Sequence, residues 1–165
     1  MVLKGNKFLF WLSLACVVAL IVMIVALCIP KKAEQKPFTP PPFDSNAVQG
    51  EPTVPESLGY NILHREGMSF KVGVCGKITV KKSTVDIYLT NVAENNAWLK
   101  ARFYNAKGEI VGESGLIKPG EYLQSVVLES VPNESEQYTV EIMSYEPDTY
   151  KSLGAVTLNP KIVIQ

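Results

Sequence analysis

The chain is 165 residues long, with sixteen basic and sixteen acidic side chains that cancel, enough for one ordinary domain and an anchor. From Met68 onward ten basic and eleven acidic residues leave the remainder neutral as well, and Lys81-Lys82 is only an isolated pair. That balance lacks the basic stripe that neutralises phosphates, so no nucleic-acid partner is expected. Cys16 and Cys28 fall in an apolar run and Cys75 stands alone beyond it, so the soluble part has no internal disulfide and must be held by a hydrophobic core.

Residues 1–7 form a short basic head carrying Lys4 and Lys7. Residues 8–29 are 22 in number, and Ser13 is the only clearly polar one. As a helix they rise about 33 Å, enough for the ~30 Å hydrocarbon layer. A secretory signal has a shorter apolar region, about 7–15 residues, ending at small residues. A lipoprotein cleavage needs an aliphatic residue three before the cysteine and a small one just before it. Cys16 has Ser13 and Ala15 there, and Cys28 has Val25 and Leu27, so neither fits. The expectation is a retained transmembrane helix, a signal anchor partnered by the lipid bilayer, with both cysteines as apolar fillers. Ala15 and Ala19 have small-xxx-small spacing, which also occurs in spans simply because alanine is common there. Lys31, Lys32 and Lys36 follow the span and lean the charge count toward a cytoplasmic C-terminus. The layout of basic head, span, spacer and domain instead matches an exported C-terminal domain, and long domains translocate largely regardless of charge. An extracellular domain on a single-pass cell-membrane protein is therefore expected.

Residues 30–67 read as a Pro-rich flexible linker, holding seven of the eleven prolines before residue 58. Proline fixes φ and removes donors, so such a stretch stays extended. Pro37 and Pro40 have PxxP spacing, without a nearby arginine to orient a ligand in an SH3-like groove.

Residues 68–165 carry the pattern of strands. "STVDIYLT" sets Val85, Ile87 and Leu89 against Asp86, Tyr88 and Thr90. "WLKARFY" sends Leu99, Ala101 and Phe103 inward and Lys100 and Arg102 to water, and "QYTVEIMSY" does the same with Tyr138, Val140 and Ile142. Asn95-Asn96 breaks one connection, Gly108 supplies the left-handed residue of a hairpin, and Pro119-Gly120 fits a type II turn. "VPNES" and "EPDTY" close two more. About seven strands follow, near 69–80, 84–91, 97–104, 109–117, 121–129, 137–145 and 153–164. The fold class expected is mainly β, an antiparallel immunoglobulin-like β-sandwich behind the span and linker, with Trp98 as a large core residue and Pro160 interrupting the last strand.

"NAKGEIVGESGLIKPGEYLQSVVL" followed by "YTVEIMSYEPDTYKSLGAV" resembles a pattern in small, uncharacterised membrane-anchored β-sandwich proteins of Gram-positive bacteria. There a Gly-Glu strand end leads to an SGLI-PG turn, an extended strand and a Tyr-rich strand end. The resemblance covers about the last 75 residues and implies a bacterial surface setting, with no chemistry attached.

Catalysis needs two or three convergent polar groups. His64 is the single histidine and precedes the strong strands, while Cys75 sits in an apolar strand where a thiol is inert. A Cys75–His64 nucleophile is thus outweighed by core packing, and no enzyme is expected. No CxxC, HExxH or EF-hand loop occurs, so no metal or cofactor is expected, and Glu146 and Asp148 read as a solvated turn rather than a calcium site. Gly73 and Gly76 mark a bulge rather than a phosphate cradle, and Asn133 in "NES" matches the glycosylation triplet that occurs often by chance. Tyr88, Tyr122, Tyr145 and Tyr150 are expected on outward faces or loops, the residue type enriched where proteins bind partners. The leading expectation is a non-enzymatic surface protein whose sandwich binds or spaces an envelope protein. The alternative is a structural accessory subunit of a membrane transport, secretion or conjugation apparatus.

Overall fold

A helix that is apolar on every side has no core-facing stripe, and the first element is of that kind. The computed structural model describes residues 5–28, 38–130 and 137–165, and they divide into two units, Met1–Phe38 and Thr39–Gln165. In the first, α1 spans Gly5–Cys28, 24 residues. Its described side chains, 10–21 and 23, are all exposed, and the Ser13 hydroxyl donates back to the Phe10 carbonyl at 2.9 Å, which keeps it satisfied within the helix. Residues 10–21 account for about 18 Å of rise. Among the described residues no helix is long and apolar enough to cross a membrane.

The second unit is mainly β. In chain order its strands are β1 (Val48–Gln49), β2 (Tyr60–Leu63), β3 (Val72–Cys75), β4 (Lys77–Lys81), β5 (Thr84–Asn91), β6 (Trp98–Tyr104), β7 (Ile110–Glu113), β8 (Glu121–Val127), β9 (Thr139–Tyr145), β10 (Ser152–Leu158) and β11 (Lys161–Ile164), with one 3₁₀ turn at Glu56–Leu58. One sheet runs β1-β8-β5-β3-β2, with β4 on the other half of β5 and β11 beside β4; the second runs β10-β9-β6-β7. All pairings are antiparallel except β4 with β11. The arrangement is that of a β-sandwich.

The excess over the seven expected strands has a physical origin. The run 69–80 is broken at Gly76, whose amide donates to Gly59 and whose carbonyl accepts from Lys161, so β3 and β4 pair with opposite ends of β5. The run 153–164 divides at Asn159-Pro160, as the proline required. β1 and β2 come from inside the expected linker 30–67: residues 39–67 belong to the second unit. Pro42 and Asp44 tie that stretch down, the Leu116 amide donating to the Pro42 carbonyl and the Asp44 amide to the Leu116 carbonyl, each at 2.9 Å. Extended, proline-rich backbone needs partners elsewhere for its polar groups, and the 114–117 segment supplies them.

The core lies between the sheets. Val72, Val74, Ile78, Val85, Ile87, Leu89 and Leu123 come from the larger sheet; Leu99, Ala101, Phe103, Val140 and Ile142 from the smaller. Leu99, Ala101, Phe103, Tyr138, Val140 and Ile142 face inward as their alternation requires. Trp98 does not: it is half-buried on the outward side of β6, because it alternates with Leu99, and Phe103 and Tyr138 are the large buried residues instead. Lys100, expected in water, is buried against Glu113 of β7. The turns at Gly108 and Pro119-Gly120 hold as read, and the one expected at "VPNES" lies outside the described residues. Gly120 has φ +79° and the Glu121 amide donates to the Lys118 carbonyl at 3.0 Å; Gly108 has φ +77°. The triplet at Asn133 lies outside the described residues.

Candidate functional site

Alternation along β6 puts Trp98, Lys100, Arg102 and Tyr104 on the outer face of the smaller sheet, and the β6–β9 register sets Tyr145 across from Trp98 and Glu141 across from Arg102. Two other segments then bring rings to Trp98. Phe43 arrives from the docked proline-rich stretch and meets it edge-on, centroids 4.8 Å apart; Tyr150 arrives from the turn after β9, at 5.2 Å. Lys118 Nζ lies over the Phe43 ring, 4.6 Å from its centre. Such edge-to-face contacts and a cation over a ring are each worth about 0.5–1.5 kcal/mol.

The turn holding Tyr150 is tight. Its amide donates to the Glu146 carbonyl at 3.0 Å, the Thr149 hydroxyl donates to Glu146 Oε2 at 2.6 Å, and the Glu146 amide donates to the Lys151 carbonyl. Asp148 and Tyr150 both have positive φ, +65° and +57°. An aromatic residue in the left-handed region is strained, and here the strain accompanies placement of the ring against Trp98. Glu146 and Asp148 therefore shape a turn, and among the described residues no three potential metal ligands gather anywhere.

Beyond the rings the face is charged and balanced. Glu113 takes Lys100 at 2.9 Å and Arg102 at 3.0 Å, and the Tyr104 hydroxyl donates to Glu141 at 2.9 Å. Burial raises the Glu113 carboxyl, but hydrogen bonds from Lys100 and Arg102 outweigh it and hold the group below its ordinary value. Burial pushes the Tyr145 phenol up, so it stays neutral, and its hydroxyl donates to Met143 Sδ at 3.3 Å.

The four tyrosines do not share one face. Tyr145 and Tyr150 gather at Trp98. Tyr122 is half-buried on β8 of the other sheet, opposite Thr90 and Val48. Tyr88 is buried. The β5–β8 register shifts between Asp86 and Leu89, Tyr88 takes φ +51° there, and its ring packs with Leu58 and Cys75 under the chain that crosses this sheet's outer face. Phe43 and Lys118 escaped the sequence reading because nothing local marks their docking. Trp98 carried a signal: its neighbour Leu99 faces inward, so it must face out.

That crossing chain, residues 50–59, leads from β1 to β2 and leaves a cavity of about 240 Å³ lined by residues of 49–52, β2, the end of β5, 92–94 and Gly120. At its floor the Tyr60 hydroxyl donates to Thr90 Oγ1 at 2.8 Å and passes over Gly73, where a Cβ would collide with it. Gly73 thus permits a close side-chain approach rather than a bulge. Burial pushes the Tyr60 hydroxyl up, its bond to Thr90 opposes this, and the charge of Glu51 adds to the rise.

Cys75 and His64 are not brought together. Tyr60 pairs with Cys75 across β2 and β3, which leaves His64 four residues, about 13 Å, along the ladder. Burial, then the nearby Asp86, pushes the Cys75 thiol up to about 11, so at neutral pH it is no nucleophile. Compared with known protein families and with characterised proteins, the chain matches none.

Proposed function

We propose that the chain is a non-enzymatic, single-pass membrane-anchored surface protein whose immunoglobulin-like sandwich binds a protein partner in a bacterial envelope. The observation that carries the binding role is the meeting of Phe43, Trp98, Tyr145 and Tyr150 on the outer face of the smaller sheet. Large, stiff aromatic rings with polar tips dominate protein–protein interfaces, and a charged margin such as Lys100, Arg102, Glu113 and Glu141 gives orientation.

Anchoring is supported by the sequence: Phe8 to Ile29 carries no charge and one hydroxyl, and 22 such residues in a helix would rise about 33 Å. The basic head and following prolines support a domain held outside the bilayer, and the resemblance of the last 75 residues to Gram-positive surface proteins supports the envelope setting. The inert thiol and the separate histidine support a role without catalysis.

The test is recovery of a cross-linked partner from native membranes. Trp98→Ala and Tyr150→Ala should each cut recovery about thirtyfold, the effect of losing a ~2 kcal/mol interface anchor. Circular dichroism should stay unchanged, since both rings lie outside the core. Recovery equal to the parent chain, with the fold intact, would overturn the reading.

A further inference from the structure

The cavity beneath the crossing segment belongs to the larger sheet and plays no part in the aromatic face, so it can be read independently. Its polar side chains are nearly all acceptors. Glu51 and Glu94 line it, both exposed, and among the described residues neither makes an ion pair. The Tyr60 proton is committed to Thr90, and Thr90 donates to the Tyr88 carbonyl at 3.2 Å, so Tyr60 turns only lone pairs to the space. Asn91 is used up: its amide donates to the Ala97 and Ile117 carbonyls and its oxygen accepts from Asn95. Gln49 alone of the lining side chains keeps an amide donor, and no basic residue lines the cavity.

The remaining walls are apolar: Pro52, Ile62, Val92 and Ala93. Ile62 is half exposed on an edge strand, where water gains nothing from it. Two carboxylates repel an anion and favour a cation, each modestly because both are exposed. A metal ion finds too few ligands, since among the described residues no cluster of three exists. The space, about 240 Å³, is below the 300–1,000 Å³ of drug-sized sites, and suits one side chain or a fragment.

We propose that this cavity binds a primary alkylammonium group, its charged end between Glu51 and Glu94 with Tyr60 Oη as acceptor and its aliphatic stem along Ile62, Val92 and Pro52. A lysyl side chain of an extended peptide and a free primary amine share this chemistry. An ammonium has three donors and no acceptor, which is the complement of the lining. Because the carboxylates are exposed, each adds little, and binding is weak, with a Kd of about 1 mM.

The experiment uses the full-length chain in a neutral detergent, with the methyl signals of Ile62, Val92 and Ala93 followed by NMR. The probes are n-butylammonium and Nα-acetyl-lysine methylamide; 1-butanol and Nα-acetyl-norleucine methylamide are their uncharged counterparts. Saturable shifts with the charged probes only are expected. E51Q and E94Q should each weaken binding about two- to fivefold and together about tenfold, while amide dispersion shows the fold intact. Tighter binding of the lysine derivative than of butylammonium assigns the site to a peptide, and equal binding assigns it to a free amine. Absence of saturable shifts, equal response to 1-butanol, or undiminished binding by the double variant would overturn the proposal. None of these results bears on the aromatic face, whose variants leave the cavity untouched.

Discussion

Replacing Gly73 by alanine adds one methyl group at a place where the sheet has no room for it. An added Cβ would clash with the Tyr60 hydroxyl and lie 2.7 Å from Tyr60 Cζ and 2.9 Å from Thr90 Cβ. Backbone φ is no obstacle, because Gly73 has no positive φ, so the cost is one of space. Tyr60 must swing away, which breaks its bond to Thr90, worth about 1 kcal/mol, and forces an overpacked site costing about 1–3 kcal/mol more. Gly73→Ala should therefore destabilise the β unit by about 2–4 kcal/mol, a large share of the ~5–15 kcal/mol typical of a domain. Urea unfolding followed by near-UV circular dichroism reads this as a lower midpoint with an unchanged slope. The discriminating step is a double-mutant cycle. In a Tyr60→Ala background the nearest obstruction is gone, and Gly73→Ala should cost only about 1 kcal/mol. Strict additivity of the two substitutions would refute the reasoning, since it would mean that the Tyr60 ring does not occupy the space above Gly73.

Other expectations follow from the same contacts. Glu113→Gln leaves Lys100 buried without its partner and should destabilise by about 1–3 kcal/mol in thermal unfolding, less than a fully buried pair because Glu113 is 43% exposed. Its folded-state pKa is depressed, so its contribution is present above the unfolded carboxylate value, near 4.3, and is lost as pH falls through the lower folded value; the acid limb of stability should flatten in the glutamine variant. Asn91→Ala removes a fully buried side chain that ties Ala97, Ile117 and Asn95 together, and should cost about 2–4 kcal/mol in urea unfolding. Exchanging residues 8–29 for an unrelated span should preserve partner recovery; its loss would favour the accessory-subunit reading, in which the helix itself is the contact surface.

Much of the β unit was legible because strands bury one face. The alternations in "WLKARFY" and "QYTVEIMSY" placed Leu99, Phe103, Tyr138 and Val140 inward, and Gly108 and Gly120 take the positive φ that their turns need. Alternation assigns a residue to a face without saying what covers that face. Tyr88 was put outward correctly, yet Leu58 packs over it, and Lys100 was put outward, yet Glu113 reaches it. β1 and β2 were hidden because short strands in a proline-rich stretch are made by their partners, β8 and β3, rather than by a period of their own. The same non-local pairing hid the candidate surfaces. Phe43 reaches Trp98 only because Pro42 and Asp44 hydrogen-bond to Leu116, and Glu51 and Glu94 line one cavity only through the crossing segment.

The central claim, that the face around Trp98 touches a protein at the membrane, is tested most directly by site-specific photo-cross-linking in intact cells. A benzophenone side chain at Tyr145 sits within that face, and one at Lys107, in the β6–β7 turn at the far end of the strand, serves as comparison. The account predicts a discrete cross-linked protein in the membrane fraction from position 145 and none from position 107. Equal products from both positions, or none from position 145 with the chain present in the membrane fraction, would contradict it.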